Sequence, residues 1–264
     1  MAQITIRKML GRAYILFDPL NIFLYRLIAG YRLPIPPAEN RMRVGSRSVW
    51  KFMAAGRRCY LPIKQAMQKF GGPSKGETRV LDLGAGVGRV MQYFLSDPVT
   101  LYTSDVDETA REYIAKNFPD VHAGSNNFAP PLGFKDSFFD VVYAVSVWTH
   151  LAPELQIPWL REVKRVLKPG GIALITTIGP YGYQRGTHLQ AVSFGLNELV
   201  STGFQYSEYP PHFKSPGTGN KYGATYQTPE YLRREWSKVM QVEDIQVGVI
   251  DNLNDLVVLR KVST

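Results

Sequence analysis

From residue 79 onward, short apolar runs alternate with stretches whose apolar residues recur every three or four positions. Residues 79–83, 100–105, 138–146 and 171–178 carry the dense β-branched and aromatic content of buried strands. Between them, residues 88–95, 107–118 and 152–167 have helical spacing, and "KPGG" (168–171) turns the chain after the last of these. A further helix near 189–202 ends at Gly203, and Thr228-Pro229-Glu230 opens another with a hydroxyl cap, a proline in the first turn and an early acid. "DLVVLRK" (255–261) reads as a final strand. This alternation predicts an α/β domain built on a doubly wound, mostly parallel sheet.

The first part of the chain has a different texture. "AYILFDPLNIFLYRLIAGYR" (13–32) is apolar, but Asp18, Asn21 and Arg26 interrupt it and Pro19 breaks a continuous helix. It falls short of the roughly 18 to 20 uninterrupted residues that a membrane span requires, and no secretory cleavage pattern follows it. Asp18 as N-cap, Pro19 as first helical residue and Gly30 as stop predict two short helices meeting at a corner. Leu20, Phe23, Leu24, Leu27, Ile28 and Tyr31 fall on one face, with Ile22 and Tyr25 widening it. Such a helix either packs on the main domain as a lid or enters a membrane interface. Proline-rich "LPIPPAEN" (33–40) marks a hinge.

Charge sharpens that contrast. The chain carries a formal +9, yet residues 1–70 alone hold thirteen Lys/Arg against Asp18 and Glu39, a net +11, while the remainder is at −2. An anionic partner at the N-terminal segment, such as an anionic membrane surface, is one reading, and a solvated basic face is the other. We therefore divide the chain into a basic helical segment, 1–70, and an α/β domain, 71–264. With 264 residues and 45% apolar content there is material for one full core. A single cysteine, Cys59, excludes an internal disulfide and fits a reducing, cytoplasmic location, and the basic N-terminal segment adds peripheral attachment to the inner membrane face as an alternative. No clustered Cys/His spacing calls for a metal.

The chemistry concentrates in "VLDLGAGVGR" (80–89). A glycine-rich turn after a first strand lets backbone approach a ligand closely. The dinucleotide fingerprint G-x-G-x-x-G fails, because Gly84 and Gly86 are followed by Arg89 where the third glycine belongs, and Gly88 comes early. A Walker loop fails too. Asp82 at the strand end would repel phosphate but suits a ligand carrying an ammonium or sulfonium.

Together with "LYTSDVDETA", "NNFAPPLGFKDSFFDVVYAVSVWTHL" and "WLREVKRVLKPGGIALITT", in this order, the stretch resembles the class I S-adenosylmethionine-dependent methyltransferases over residues 79–180. The resemblance implies a Rossmann-like methyltransferase sheet with an antiparallel C-terminal strand, S-adenosylmethionine as cofactor, and methyl transfer as the activity. It implies that Gly84, Ala85, Gly86, Gly88 and Arg89 surround the methionine part, with Asp82 near its ammonium. Asp105 would hold the ribose, Asn126 or Asn127 would face the adenine amine, and Val106, Phe128 and Val145 would complete the site. Asn126 and Asn127 depart from the acid that the family often places there, although an amide oxygen can still accept the bond.

"SVWTHL" (146–151) follows the fourth strand, at the sheet edge where such folds bind ligands, which makes His150 the candidate general base. "GFQYSEYPPHFKSPGTGNKYGATYQ" (203–227) is an aromatic insertion whose Tyr206, Tyr209, His212, Phe213, Tyr222 and Tyr226 are candidates to wall an acceptor pocket, with Tyr222 a second catalytic candidate. Enzymes that methylate flipped bases carry Asn/Asp-Pro-Pro-aromatic after the fourth strand; here "SVWT" stands there, against a nucleic-acid acceptor. A small-molecule, glycan or lipid-linked acceptor is expected, with oxygen the favoured nucleophile. Nucleic-acid methylation and a catalytically silent cofactor-binding module stay open as alternatives.

Overall fold

The structure, a computed structural model, describes residues 14–71, 77–186, 192–210 and 222–262. In chain order its strands are β1 (Thr78–Leu83), β2 (Val99–Asp105), β3 (His122–Ser125), β4 (Phe139–Ala144), β5 (Leu167–Thr177), β6 (Phe204–Glu208), β7 (Gly223–Gln227), β8 (Gln241–Ile250) and β9 (Asn254–Arg260). Among the described residues, β6 and β7 form a two-stranded sheet of their own, while the others form a single sheet in the order β3-β2-β1-β4-β5-β9-β8. Within it only β9 runs against the rest, pairing antiparallel with both β5 and β8. The strand order reverses between β1 and β4, a topological switch point whose carboxyl edge is where doubly wound sheets hold ligands.

The helices are α1 (Asp18–Ala29), α2 (Ala38–Arg43), α3 (Val49–Phe70), α4 (Glu108–Asn117), α5 (Pro153–Val166), α6 (Pro180–Arg185), α7 (Leu196–Thr202) and α8 (Pro229–Trp236). Both faces of the sheet are covered, so its central strands are apolar throughout rather than alternating. On one face Leu81, Leu83, Val142, Ala144 and Ile175 pack against Trp159, Leu160 and Val163 of α5 and Trp236 of α8. On the other, Val80, Val141, Tyr143 and Leu174 pack against Cys59, Ile63 and Ala66 of α3. Helix α3 lies in the basic N-terminal segment by sequence, yet it covers the sheet.

Local differences from the sequence expectations have physical causes. The helix expected near 88–95 is a run of turns followed by a 3-10 helix, Met91–Ser96. Here α3 crosses so closely that any side chain at Gly56 would strike the Arg89 carbonyl. "KPGG" does not end α5, which stops at Val166; it sits inside β5, where pairing with β4 shifts register between Phe139 and Val141. Thr228 does cap α8, its hydroxyl accepting from the Tyr231 N–H at 3.2 Å, and Gly203 ends α7 in the left-handed conformation.

In the N-terminal segment Gly30 terminates α1 at φ 62° as expected. Asp18 is not its cap: Phe17 holds that position without a side-chain bond, and Asp18 is buried in the first turn. There its carboxylate accepts from the Ala38 N–H at 2.9 Å and pairs with the fully buried Arg41. That anchor sets the helix rotation. Ile22 and Tyr25, one and two turns on, face inward with Tyr31 against Val49, Phe52 and Met53, while Leu20, Phe23, Leu24, Leu27 and Ile28, most of the face that the helical spacing picks out, point outward. Among the described residues no helix is long and apolar enough to cross a membrane.

Candidate active site

A cavity of about 720 Å³ opens at the carboxyl ends of β1, β2 and β4, beside the switch point. Asp82, Gly84, Ala85, Gly86 and Arg89 of the glycine turn line it, with Asp105 and Val106 after β2, Asn126 and Phe128 after β3, and Val145 and His150 after β4. Tyr209, Tyr222 and Tyr226 close the far wall. Gly88 and Asn127 do not line it, and neither does Tyr206; His212 and Phe213 lie outside the described residues.

The glycine turn is held open by its backbone. Gly84 and Gly86 adopt φ of 78° and 53°, values that disfavour side chains, and a Cβ at Gly86 would lie 2.5 Å from Val44 Cγ1. Gly88 shares the conformation at φ 79°, which makes it a turn-forming residue. Arg89 donates from Nη1 to the Val44 carbonyl at 2.7 Å, so its guanidinium ties the N-terminal segment to the turn. Met42, Arg43, Val44 and Gly45 consequently form part of the cavity wall.

Three acids gather at this end. Asp82 is buried, its Oδ2 accepting from the Tyr143 hydroxyl at 2.7 Å. Burial pushes its carboxyl up to about 7; the Tyr143 bond opposes this and the neighbouring Asp105 charge adds to it. Asp105 accepts from the Gly86 N–H at 2.6 Å and the Asp107 N–H at 2.8 Å, and burial raises it too, against those two bonds. Asp107 lines the cavity as well, caps α4 through the Thr109 N–H and pairs with Arg43. Asn126 accepts from the Ser104 hydroxyl at 2.7 Å and donates to the Asn127 carbonyl, which fixes its amide.

At the opposite end, Ser146 leaves β4 at φ 60°, its N–H held by Thr176 Oγ1 at 2.8 Å, a strained corner that sends the chain across the sheet edge. The segment then pairs with β7. Leu151 bridges Tyr222, the Gly223 N–H donates to the His150 carbonyl, and the Thr225 N–H donates to the Thr149 carbonyl. Tyr222 stacks on the His150 ring with centroids 4.7 Å apart. His150 Nδ1 lies 2.9 Å from the Gly223 carbonyl oxygen. A carbonyl only accepts, so Nδ1 carries the proton and, in the neutral ring, Nε2 carries the lone pair.

Val44, Thr149, Trp159 and Asn254 also line the cavity and were not singled out by sequence. Among the described residues no group of three or more His, Cys, Asp or Glu side chains is placed to hold a metal.

This architecture, a doubly wound sheet with one reversed strand and an acid-flanked glycine turn at its switch point, is that of the Rossmann-like methyltransferases. Residues 81–175 match the family model of a methyltransferase domain. The matched segment, 95 of the 264 residues, carries the glycine turn, Asp105 and His150. It is 30% identical over 105 residues to the biotin biosynthesis bifunctional protein of Cellvibrio japonicus, covering 39% of this chain and 20% of that one. Over 131 residues it is 28% identical to a tRNA N(3)-cytidine methyltransferase of Gallus gallus, covering 45% and 35%. The chain thus spans well under two thirds of either relative. The solved structure of a Burkholderia thailandensis 1,6-didemethyltoxoflavin-N1-methyltransferase superposes with a TM-score of 0.56 at 18% identity, covering 88% of this chain and 94% of that one, a likeness of fold.

Proposed function

We propose that the chain transfers a methyl group from S-adenosylmethionine to the oxygen of a small-molecule, glycan or lipid-linked acceptor. The observation that carries this reading is one continuous cavity with the acid-flanked glycine turn at one end and the His150–Tyr222 stack at the other.

The donor set suits the cofactor. Asp105 and Asp107, joined by Asp82 once it ionises, give the turn a negative field, Arg89 is engaged by the Val44 carbonyl and Arg43 by Asp107, an arrangement that favours a cationic ligand over a diphosphate. Asp105 would take the ribose hydroxyls, Asp82 the amino-acid end, and Val106 and Phe128 the adenine ring. When bound, the cofactor supplies an electrophilic methyl group on sulfonium. The protein's task is then to align a nucleophile and to remove its proton. His150 does the second at Nε2, with the Gly223 carbonyl holding Nδ1–H and the Tyr222 ring fixing its plane. Tyr209 and Tyr226 wall the acceptor.

Purified protein incubated with methyl-labelled cofactor and fractionated cell extract tests the reading. Label is expected in a glycan, lipid or metabolite fraction and is lost with His150→Ala. Label confined to RNA would reassign the acceptor, and cofactor binding with no transfer to any fraction would favour the silent module.

A further inference from the structure

The outward face of α1 is an exposed apolar surface unlike any other on the molecule's described helices. Leu20, Phe23, Leu27 and Ile28 keep 54% to 69% of their surface in solvent, Leu24 is also exposed, and Leu16 and Phe17 extend the patch just before the helix. At 100° per residue these positions gather on one side, opposite Ile22, Tyr25 and the anchored Asp18, so the helix has two apolar faces and only one is buried. Contiguous apolar patches of this kind on a single element mark an interaction surface.

Its surroundings select the partner. Arg26 on the same helix, Arg32 just after it, and Lys51 and Arg57 on the supporting helix α3 are exposed. Trp50, also exposed, packs edge-on against Tyr25 with centroids 4.8 Å apart, an amphipathic ring beside the patch. The segment of 70 residues that carries them has a net charge of +11. A second copy of the same face would bring that charge against itself, and a patch of one twelve-residue helix is small for the roughly 1,200 to 2,000 Å² of a stable pairwise interface. Apolar side chains flanked by arginine, lysine and tryptophan match instead the boundary between lipid headgroups and acyl chains.

We propose that α1 lies in the plane of an anionic lipid bilayer, with Leu20, Phe23, Leu24, Leu27 and Ile28 inserted among the acyl chains and the flanking basic residues at the phosphates. Burial of Ile22 and Tyr25 against α3 keeps the helix docked on the domain as it inserts, so membrane attachment and cover of the glycine turn through Val44 are compatible. The proposal does not depend on the methyl-transfer reading.

Cosedimentation of the full chain with vesicles tests it. With vesicles of phosphatidylcholine and phosphatidylglycerol at low ionic strength the protein is expected in the pellet, with pure phosphatidylcholine in the supernatant, and added salt should weaken the binding. The pair Phe23→Glu and Leu27→Glu, both at exposed positions, should cut vesicle partitioning by about tenfold or more while leaving the melting transition in place. Failure to pellet with anionic vesicles overturns the proposal, as does a double variant that pellets like the parent. A parent that is dimeric in sedimentation equilibrium, becomes monomeric in the double variant and ignores vesicles would assign the face to a second copy.

Discussion

Asp82 carries the sharpest consequence of a single residue's burial. A carboxyl raised to about 7 in the folded chain stays protonated where the unfolded chain has already ionised. Folding stability therefore declines as pH rises from about 4 towards 7, and an ammonium placed beside the ionised carboxylate reverses that loss. The rise in melting temperature produced by S-adenosylhomocysteine should accordingly be larger at about pH 8 than at about pH 5.5, and Asp82→Asn should flatten the difference. Equal shifts in parent and variant would contradict the assignment. His150→Ala should lower turnover by about 10² to 10⁴, with cofactor binding unchanged; a loss below tenfold would make the ring structural. At this scale the sequence was informative wherever strand, turn and acid are contiguous, as in Asp82, Gly84 and Asp105. Val44 and Asn254 were illegible because they reach the cavity from elements far away in the chain, and nothing in their neighbours' pattern reports that approach.

Among elements, α1 shows how one buried pair overrides a hydrophobic pattern. The stronger apolar stripe, Leu20 to Ile28, is compatible by its spacing with a packed or a membrane-facing side, but Asp18 must reach Arg41 and that rotation turns the stripe outward. Removing one partner of a buried pair costs about 3 to 5 kcal/mol, here paid locally by the α1–α2 corner. Asp18→Ala should raise amide exchange across residues 18–43 and leave β4 protected in hydrogen-exchange mass spectrometry; unchanged exchange in that corner would refute the anchor. Gly86→Ala tests the neighbouring contact, since a methyl there meets Val44 in a left-handed backbone, and loosened 40–48 exchange with weaker cofactor binding is the expected outcome.

For the whole molecule, the strands β1, β2, β4, β5 and β9 were legible because a sheet covered on both sides demands continuous apolar runs. Short β3, with no buried residue, and β8, intermediate or exposed along nearly all its length, lack that signature and escaped it. The pairing of residues 222–225 with the 149–151 segment was likewise invisible, although it brings His150 and Tyr222 into contact from 72 positions apart. On the proposed reading, the turn at residues 84–88 receives S-adenosylmethionine. Isothermal titration with S-adenosylhomocysteine tests this most directly: saturable one-to-one binding is predicted, weakened by about 1 to 3 kcal/mol in Asp105→Ala. Absence of binding at millimolar ligand, or binding that Asp105→Ala leaves untouched, would contradict it.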